Sequence, residues 1–291
     1  MAWDDFAGVD VNVTSSQVET ARFGISLGRV SVGWELPASG PAYERAAEAL
    51  NVAMAESSED VLVVRYPAHV VSLGAVVAVS ERSVLPAGAL TYWGSEAEDV
   101  TAMSPRSPEG DLDVVTATDL PGSVDDVGRV VDAVIADSFA GYGNHYLANP
   151  LLDPDAVLAA YRDWARRSLE ASRRDVLVLR AAGTPIGVAT CVASRDGISH
   201  LEVLLAGVVS AAQGGGMYAV LLAGCALEAR RRGLQRLIIS TQVHNIRVQR
   251  AWARLGLHPF AAVETVHAVR AGLLGRIAET PVGYRSPVAR D

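Results

Sequence analysis

Leu204-Leu205-Ala206-Gly207-Val208-Val209-Ser210-Ala211-Ala212-Gln213-Gly214-Gly215-Gly216-Met217-Tyr218 carries an apolar strand into three glycines and out into a helix. Glycine lacks a Cβ and lets a backbone approach a ligand closely. A helix start presents free N–H groups and a positive partial charge. Together these make a phosphate site. A dinucleotide fingerprint is one reading, since Gly214-x-Gly216-x-x-Ala219 fits G-x-G-x-x-A. It needs an acid at the end of the next strand to hold a ribose. That strand ends Ser240-Thr241-Gln242, and too little chain follows for a doubly wound sheet. A plain tight turn would account for the glycines without any ligand.

Outward from this turn the second part of the chain alternates strand and helix. Strands are expected at Leu112–Thr118, Asp175–Arg180, Pro185–Ala193, Leu201–Val209, Leu237–Gln242 and Ala261–Val269. Helices are expected at Val124–Phe139, Pro154–Leu169, Met217–Arg232 and Asn245–Leu255. Gly233 and Gly256 stop the last two, and Arg230, Arg231 and Arg232 complement a helix dipole. The order is β-α-α-β-β-β-α-β-α-β, a mixed α/β fold.

The first part is less regular. Phe23–Val32, Val61–Arg65, Val70–Val79 and Ala89–Trp93 suggest strands, and Ala42–Ser57 has helical periodicity. No cluster of residues there suggests chemistry, and His69 is isolated after Pro67. The seam Ser104-Pro105-Arg106-Ser107-Pro108-Glu109-Gly110-Asp111 has the composition of a linker. The expected division is an N-terminal α/β domain at 1–104, a linker at 105–111 and a catalytic domain at 112–291.

Composition narrows the function. Half of the 291 residues are hydrophobic and 20% are charged, which suits a packed core and not disorder. The net charge is −8, a poor footing for nucleic acid or acidic lipid. Cys191 and Cys225 lie in apolar stretches and are too few for a disulfide framework or a zinc cage. No metal is expected. No apolar run is long enough to span a membrane. The acidic opening Met1–Asp10 lacks the apolar core of a secretory signal. The expected location is cytoplasmic.

The glycine segment resembles motif A of the GNAT superfamily of N-acetyltransferases, V-x-P-x-x-Q/R-G-x-G-x-G/A, through Val208, Gln213, Gly214 and Gly216. Ser210 replaces the proline, and Tyr218 stands where a small residue is usual. Downstream, Asn245-x₆-Trp252-x₃-Gly256-Leu257 resembles motif B, N-x₆-Y-x₃-G-F. The resemblance spans roughly 112–270. It implies a mostly antiparallel central sheet with flanking helices, preceded by a smaller degenerate domain that is itself GNAT-like. It implies acetyl-CoA or another acyl-CoA as co-substrate. The implied binding residues are Val208, Val209, Gln213, Gly214, Gly215, Gly216, Met217, Tyr218, Asn245 and Trp252. In the family the tyrosine at the Trp252 position commonly protonates the leaving thiolate. An indole N–H is far too weak an acid for that.

The stretch from Ser240 to Trp252 is similar to the T-Q-x-x-N segment of the dTDP-fucosamine acetyltransferase group and its secondary-metabolite relatives. Thr265-Val266-His267 and the segment from Ala21 to Ser26 add to that likeness. It implies acylation of the amine of a nucleotide-linked amino sugar. Acyl transfer needs a neutral amine, an N–H donor for the oxyanion and a proton acceptor. The backbone at Val208 and Val209 suits the donor by resemblance.

Glu202, His267 and His145 are the candidate acceptors of the proton. By simple alternation Glu202 shares a face with Leu204 and Ala206, opposite Leu201, Val203 and Leu205. A solvent-facing Glu202 and a core His267 are the plain alternatives. The segment from Gly141 to Pro150 gathers Tyr142, Asn144, His145 and Tyr146, groups suited to a polar acceptor. Gln242 and His244 flank the same cleft by analogy.

The expected function is therefore acyl-CoA-dependent N-acylation of a small-molecule amine, favouring an amino-sugar nucleotide. An amino-acid, peptide or carrier-protein acceptor is the first alternative. A non-catalytic acyl-CoA sensor is the second, motivated by Trp252. The expected partners exclude nucleic acid and membrane, and a homodimer is left open.

Overall fold

The computed structural model describes residues 2–101, 111–194 and 199–275. All of the expected linker except Asp111 lies outside the described residues. The strands are β1 (Val11–Ser15), β2 (Leu27–Val32), β3 (Val61–Pro67), β4 (Ser83–Glu96), β5 (Leu112–Thr116), β6 (Val176–Ala181), β7 (Thr184–Ser194), β8 (His200–Val208), β9 (Arg236–Gln242) and β10 (His258–Val269). The helices are α1 (Gln17–Phe23), α2 (Pro41–Glu56), α3 (Leu73–Ala78), α4 (Val124–Ser138), α5 (Asp155–Ala171), α6 (Met217–Arg231) and α7 (Ile246–Arg254). From β5 onward the order of strands and helices is the one expected.

Local chemistry sets several boundaries. Ser123 caps α4 by accepting from the Asp126 N–H, and the Asp126 carboxylate answers the Ser123 N–H, a capping box. Gly24, at φ 65°, ends α1 in the left-handed region. The expected strand from Phe23 is therefore two elements, with β2 beginning only at Leu27. The expected strand at Val70–Val79 is instead α3. Leu73 and Val77 are buried there one turn apart, in the cluster that also holds Leu50 and Met54 of α2. Packing against α2 overrides the β preference of a valine-rich run.

All ten strands form one sheet in the order β1-β2-β3-β10-β4-β9-β8-β7-β6-β5. The β2–β3 and β8–β9 pairs are parallel and the others antiparallel. The strand β10 lies between β3 and β4, and β4 lies between β10 and β9. The chain segments on either side of the 105–111 stretch thus interlock through exchanged strands.

Register carries one face of the sheet across this interlock. Arg29 is opposite Val63, Val63 opposite His267, and Arg65 opposite Thr265. Leu90 is opposite Gln242, Tyr92 opposite Ser240, and Ile238 opposite Glu202. These residues share a face, which α4 and α5 cover at one end and Phe23 and Ile25 at the other. The opposite face packs against α2 and α3 at one end and α6 with Trp252 at the other. Cys191 and Cys225 are both buried in that second packing layer.

A β-bulge corrects the expected facing of β8. Thr190 pairs with Leu205 but Cys191 pairs with Val203, leaving Leu204 as the extra residue. A bulge inverts the alternation beyond it. Leu205 therefore joins the α4–α5 cluster on the side of Glu202. Ala206 packs with Val203 in the α6 cluster.

Candidate active site

The parallel β8–β9 ladder pairs His200–Val203 with Arg236–Ile239 and stops there. Beyond it Leu204–Val208 and Ser240–Gln242 line a cavity of about 1060 Å³. The Val209 N–H donates to the Ile186 carbonyl at 2.9 Å. Alternation along an antiparallel pair then turns the Val208 N–H away from β7, into the gap. The Gln213 side chain donates to the Val208 carbonyl at 3.0 Å on that same edge. Val208 lines the cavity and Val209 does not.

Gln213, Gly214, Gly215, Gly216, Met217 and Tyr218 form one wall of this cavity. Gly214 and Gly216 have φ of 88° and 86°, a conformation that favours glycine. A Cβ placed on Gly214 would meet nothing within 4 Å. No side chain caps α6 at Gly216, so the first turn keeps its positive end open to an anion. Arg247 and Arg254 of α7 also line the cavity. Open backbone, an uncapped helix start and two guanidinium groups fit a phosphate-bearing co-substrate.

Trp252 is 1% exposed and its indole N–H donates to the Tyr218 hydroxyl at 3.2 Å. Burial holds the Tyr218 phenol well above its usual range. Asn245 donates to the Thr241 hydroxyl at 3.1 Å, and the Tyr142 hydroxyl lies 3.1 Å from the same oxygen. Thr241, the threonine of the T-Q-x-x-N stretch but not among the expected site residues, thereby ties the α4–α5 loop to the start of α7.

The loop candidates divide by role. The Asn144 side chain accepts from the Tyr146 N–H at 2.9 Å and so caps its own turn. His145 lines the cavity, and its Nδ1 lies 2.9 Å from His267 Nε2. His267 is fully buried and does not line the cavity; it sits behind His145 and the ring of Tyr146, which do. Burial pushes His267 down to about 4, with the nearby Arg65 charge adding to the effect. Burial and then Arg65 hold His145 well below the usual imidazole range. Tyr146 donates to Glu19, which is bridged to Arg29 at 2.8 Å.

Glu202 lines the cavity at 1% exposure and accepts the Trp3 N–H at 2.6 Å. Burial pushes its carboxyl up to about 8. Gln242 lines the cavity as well, whereas His244 is exposed outside it, its ring beside Gly143. The first part of the chain, expected to carry no chemistry, contributes Glu19, Arg22, Arg29 and Arg65 to the cavity. Their available signal was a lone arginine inside each of two apolar strands, Arg29 in β2 and Arg65 in β3.

Among the described residues no group of His, Cys, Asp or Glu is gathered that could hold a metal ion, and no helix is long and apolar enough to cross a membrane. No protein-family model matches the chain, and no curated protein matches it. Solved structures do. A GCN5-related N-acetyltransferase from Sphaerobacter thermophilus aligns at 14% identity and TM-score 0.53, over 89% of this chain and 76% of its own. One from Kribbella flavida aligns at 16% and 0.53, over 92% and 91%. A tandem GNAT protein of the clavulanic acid biosynthesis pathway aligns at 13% and 0.51, over 84% and 75%. The strand order, the parted β8 and β9 and these likenesses agree: the chain has the fold of the GCN5-related N-acetyltransferases.

Proposed function

We propose that this protein transfers an acetyl or short acyl group from acyl-CoA to the amine of a small polar acceptor, an amino-sugar nucleotide being favoured. The observation that carries the reading is the gap between β8 and β9. It joins the glycine turn on one face of the sheet to a buried polar chamber on the other. A thioester arm threaded through the gap would deliver its carbonyl to groups the acceptor reaches from the far side. The likeness of the Ser240–Trp252 segment to the fucosamine group supports the sugar acceptor.

The roles follow from the chemistry of each group. The Val208 N–H, on the open edge of β8, donates to the developing oxyanion. Glu202 takes a proton from the acceptor's ammonium and so frees the lone pair that attacks the thioester carbonyl; the proton that nitrogen sheds after attack replaces the one given to the sulfur. With its carboxyl near 8, about one tenth is ionised at pH 7, and that fraction is a stronger base than an ordinary carboxylate. His145, backed by His267, orients the amine. Trp252 cannot protonate the thiolate. Tyr218 accepts the indole N–H and keeps its own O–H proton to give to the sulfur.

Trp252 at the position of the usual acid also favours a second reading, an acyl-CoA sensor without turnover. Calorimetric titration with CoA, followed by acceptor profiling with acetyl-CoA, tests both. Binding with turnover of an amine supports the transferase. Binding without turnover across amino sugars, amino-sugar nucleotides, amino acids and peptides favours the sensor. Absence of CoA binding removes both readings.

A further inference from the structure

The candidate base is held by a turn from the other end of the chain. Trp3–Phe6 form one turn of 3-10 helix. The Trp3 N–H donates to Glu202 Oε2 at 2.6 Å, across 199 residues of sequence. Glu202 lines the cavity and Trp3 does not, so the carboxylate sits between the turn and the chamber. The turn thereby covers Glu202 on the side away from the acceptor, and Glu202 is only 1% exposed.

This turn is anchored at several points. The Trp3 ring meets Tyr92 at 4.9 Å, Phe260 at 5.0 Å and Trp34 at 5.7 Å between centroids. Phe6 is fully buried in a cluster with Tyr92, Ile238 and Val263. The Asp5 carboxylate accepts the Ala2 N–H at 2.7 Å. Behind the turn, the Trp34 N–H donates to the Phe6 carbonyl at 2.7 Å and the Glu35 N–H to the Gly8 carbonyl at 2.9 Å. A Cβ on Gly33 would lie 2.3 Å from the Gly8 carbonyl oxygen, a backbone approach that only glycine allows. A donor fixed this firmly holds its acceptor without reorganisation.

The Trp3 bond engages one carboxylate oxygen, and Glu202 accepts no second hydrogen bond among the described residues. Burial opposes ionisation of the carboxyl, and Asp4 and Asp5 of the same turn add to that opposition. Asp4 itself lies 3.8 Å from the His200 ring, and Tyr92 of β4 is the other titratable group facing Glu202. A backbone N–H donated to a carboxylate favours the ionised form.

We propose that Trp3 is the positioning residue of the Glu202 base: its backbone N–H fixes Oε2, so that Oε1 is left to meet the acceptor's ammonium from the chamber. The assignment rests on the acyl-transfer reading, which makes Glu202 the base. It gives the segment before β1 a part in the chemistry.

The test is NMR on the full chain, with and without CoA, following backbone amide protons and glutamate carboxyl carbons against pH. In the parent the Trp3 amide proton should titrate with the midpoint of the Glu202 carboxyl, about 8, and that titration should vanish in Glu202→Gln. Trp3 opens its helical turn behind an extended Ala2, a place that tolerates proline. Trp3→Pro removes the ring and the N–H, whereas Trp3→Ala removes the ring alone. The Glu202 midpoint in Trp3→Pro should lie about one pH unit above that in Trp3→Ala. The rise of kcat/KM with pH, for transfer from acetyl-CoA to whichever amine of the acceptor panel turns over, should move by the same amount, with CoA affinity retained. A Trp3 amide that does not follow Glu202, or equal midpoints in the two Trp3 variants, overturns the assignment. Failure of the acyl-transfer reading registers separately, as absence of CoA binding or as full activity of Glu202→Gln at every pH, and the NMR readouts depend on neither.

Discussion

The indole N–H of Trp252 donates to the hydroxyl oxygen of Tyr218 at 3.2 Å. These residues are two of the chain's departures from the motifs it resembles, one at the start of α6 and one in α7. The bulky ring at the helix start and the indole in place of a phenol are therefore one packing unit, completed by Trp93 against the indole at 6.0 Å between centroids. Tyr218 thus sets an aromatic hydroxyl against the Trp252 indole at this end of the cavity.

Trp252→Phe should accordingly keep most of the turnover. It removes one hydrogen bond, worth about 0.5–1.5 kcal/mol, and leaves a void that lowers stability further. Tyr218→Phe should cost about a hundredfold in kcat, the scale of a lost proton donor, with CoA affinity nearly unchanged. Steady-state kinetics on the two variants decide it. A greater kcat loss in Trp252→Phe than in Tyr218→Phe would return the chemistry to the indole position.

Glu202 gives two separable pH effects. As the base it should make kcat/KM rise with pH and level off above about 8, the value to which burial pushes it. Stability runs the other way. The folded chain binds the Glu202 proton up to about 8, whereas the unfolded chain releases it near 4.5. Stability from this group is complete below the unfolded value and is lost as pH rises through the folded one, at up to about 1.4 kcal/mol per pH unit. Glu202→Gln should flatten that decline in denaturant titrations between these limits while abolishing the pH-dependent rise in rate. A variant as active as the parent at every pH would assign the base elsewhere.

His145 and His267 should behave as a coupled pair. His145→Ala removes the ring that lines the cavity. His267→Ala removes its partner and leaves a buried ring nitrogen unmatched, at about 1–3 kcal/mol. Both should raise the acceptor KM or lower kcat with acetyl-CoA affinity intact, and the double variant should be little worse than either single one. Fully additive losses would show that His267 acts independently of His145. Both rings titrate below their usual range because burial favours the neutral form. Their contribution to stability is present above the unfolded imidazole value and is lost as pH falls, for His267 through about 4.

The glycine turn calls for a choice of position. Gly216 has φ 86°, so a branched residue there strains the backbone before it meets any ligand. Gly215 is not among the positive-φ glycines, and Gly215→Val therefore tests crowding at the turn more cleanly. Calorimetry should show CoA affinity lowered by about tenfold or more, equivalent to about 1.4 kcal/mol. Unchanged affinity with an intact fold would place the phosphates elsewhere.

What the sequence determined by itself is local in origin. The glycines between β8 and α6 are legible because a tight turn into a helix start needs them at neighbouring positions. The order of elements from β5 to β10 follows from period-2 and period-3.6 patterns, which neighbouring residues write unaided. His145, Glu202 and Gln242 stand out as polar groups on apolar elements or in a dense loop. Only the tertiary structure decided what pairing across the chain creates. The exchange of β4 and β10 sets Arg29 and Arg65 beside His267, and no spacing along the chain records that neighbourhood. Packing against α2 turned the valines around Leu73 and Val77 into a helix. One bulge at Leu204 put Leu205 on the face of Glu202, against simple alternation. Register is set by partners far away in sequence, and a single inserted residue inverts every facing beyond it.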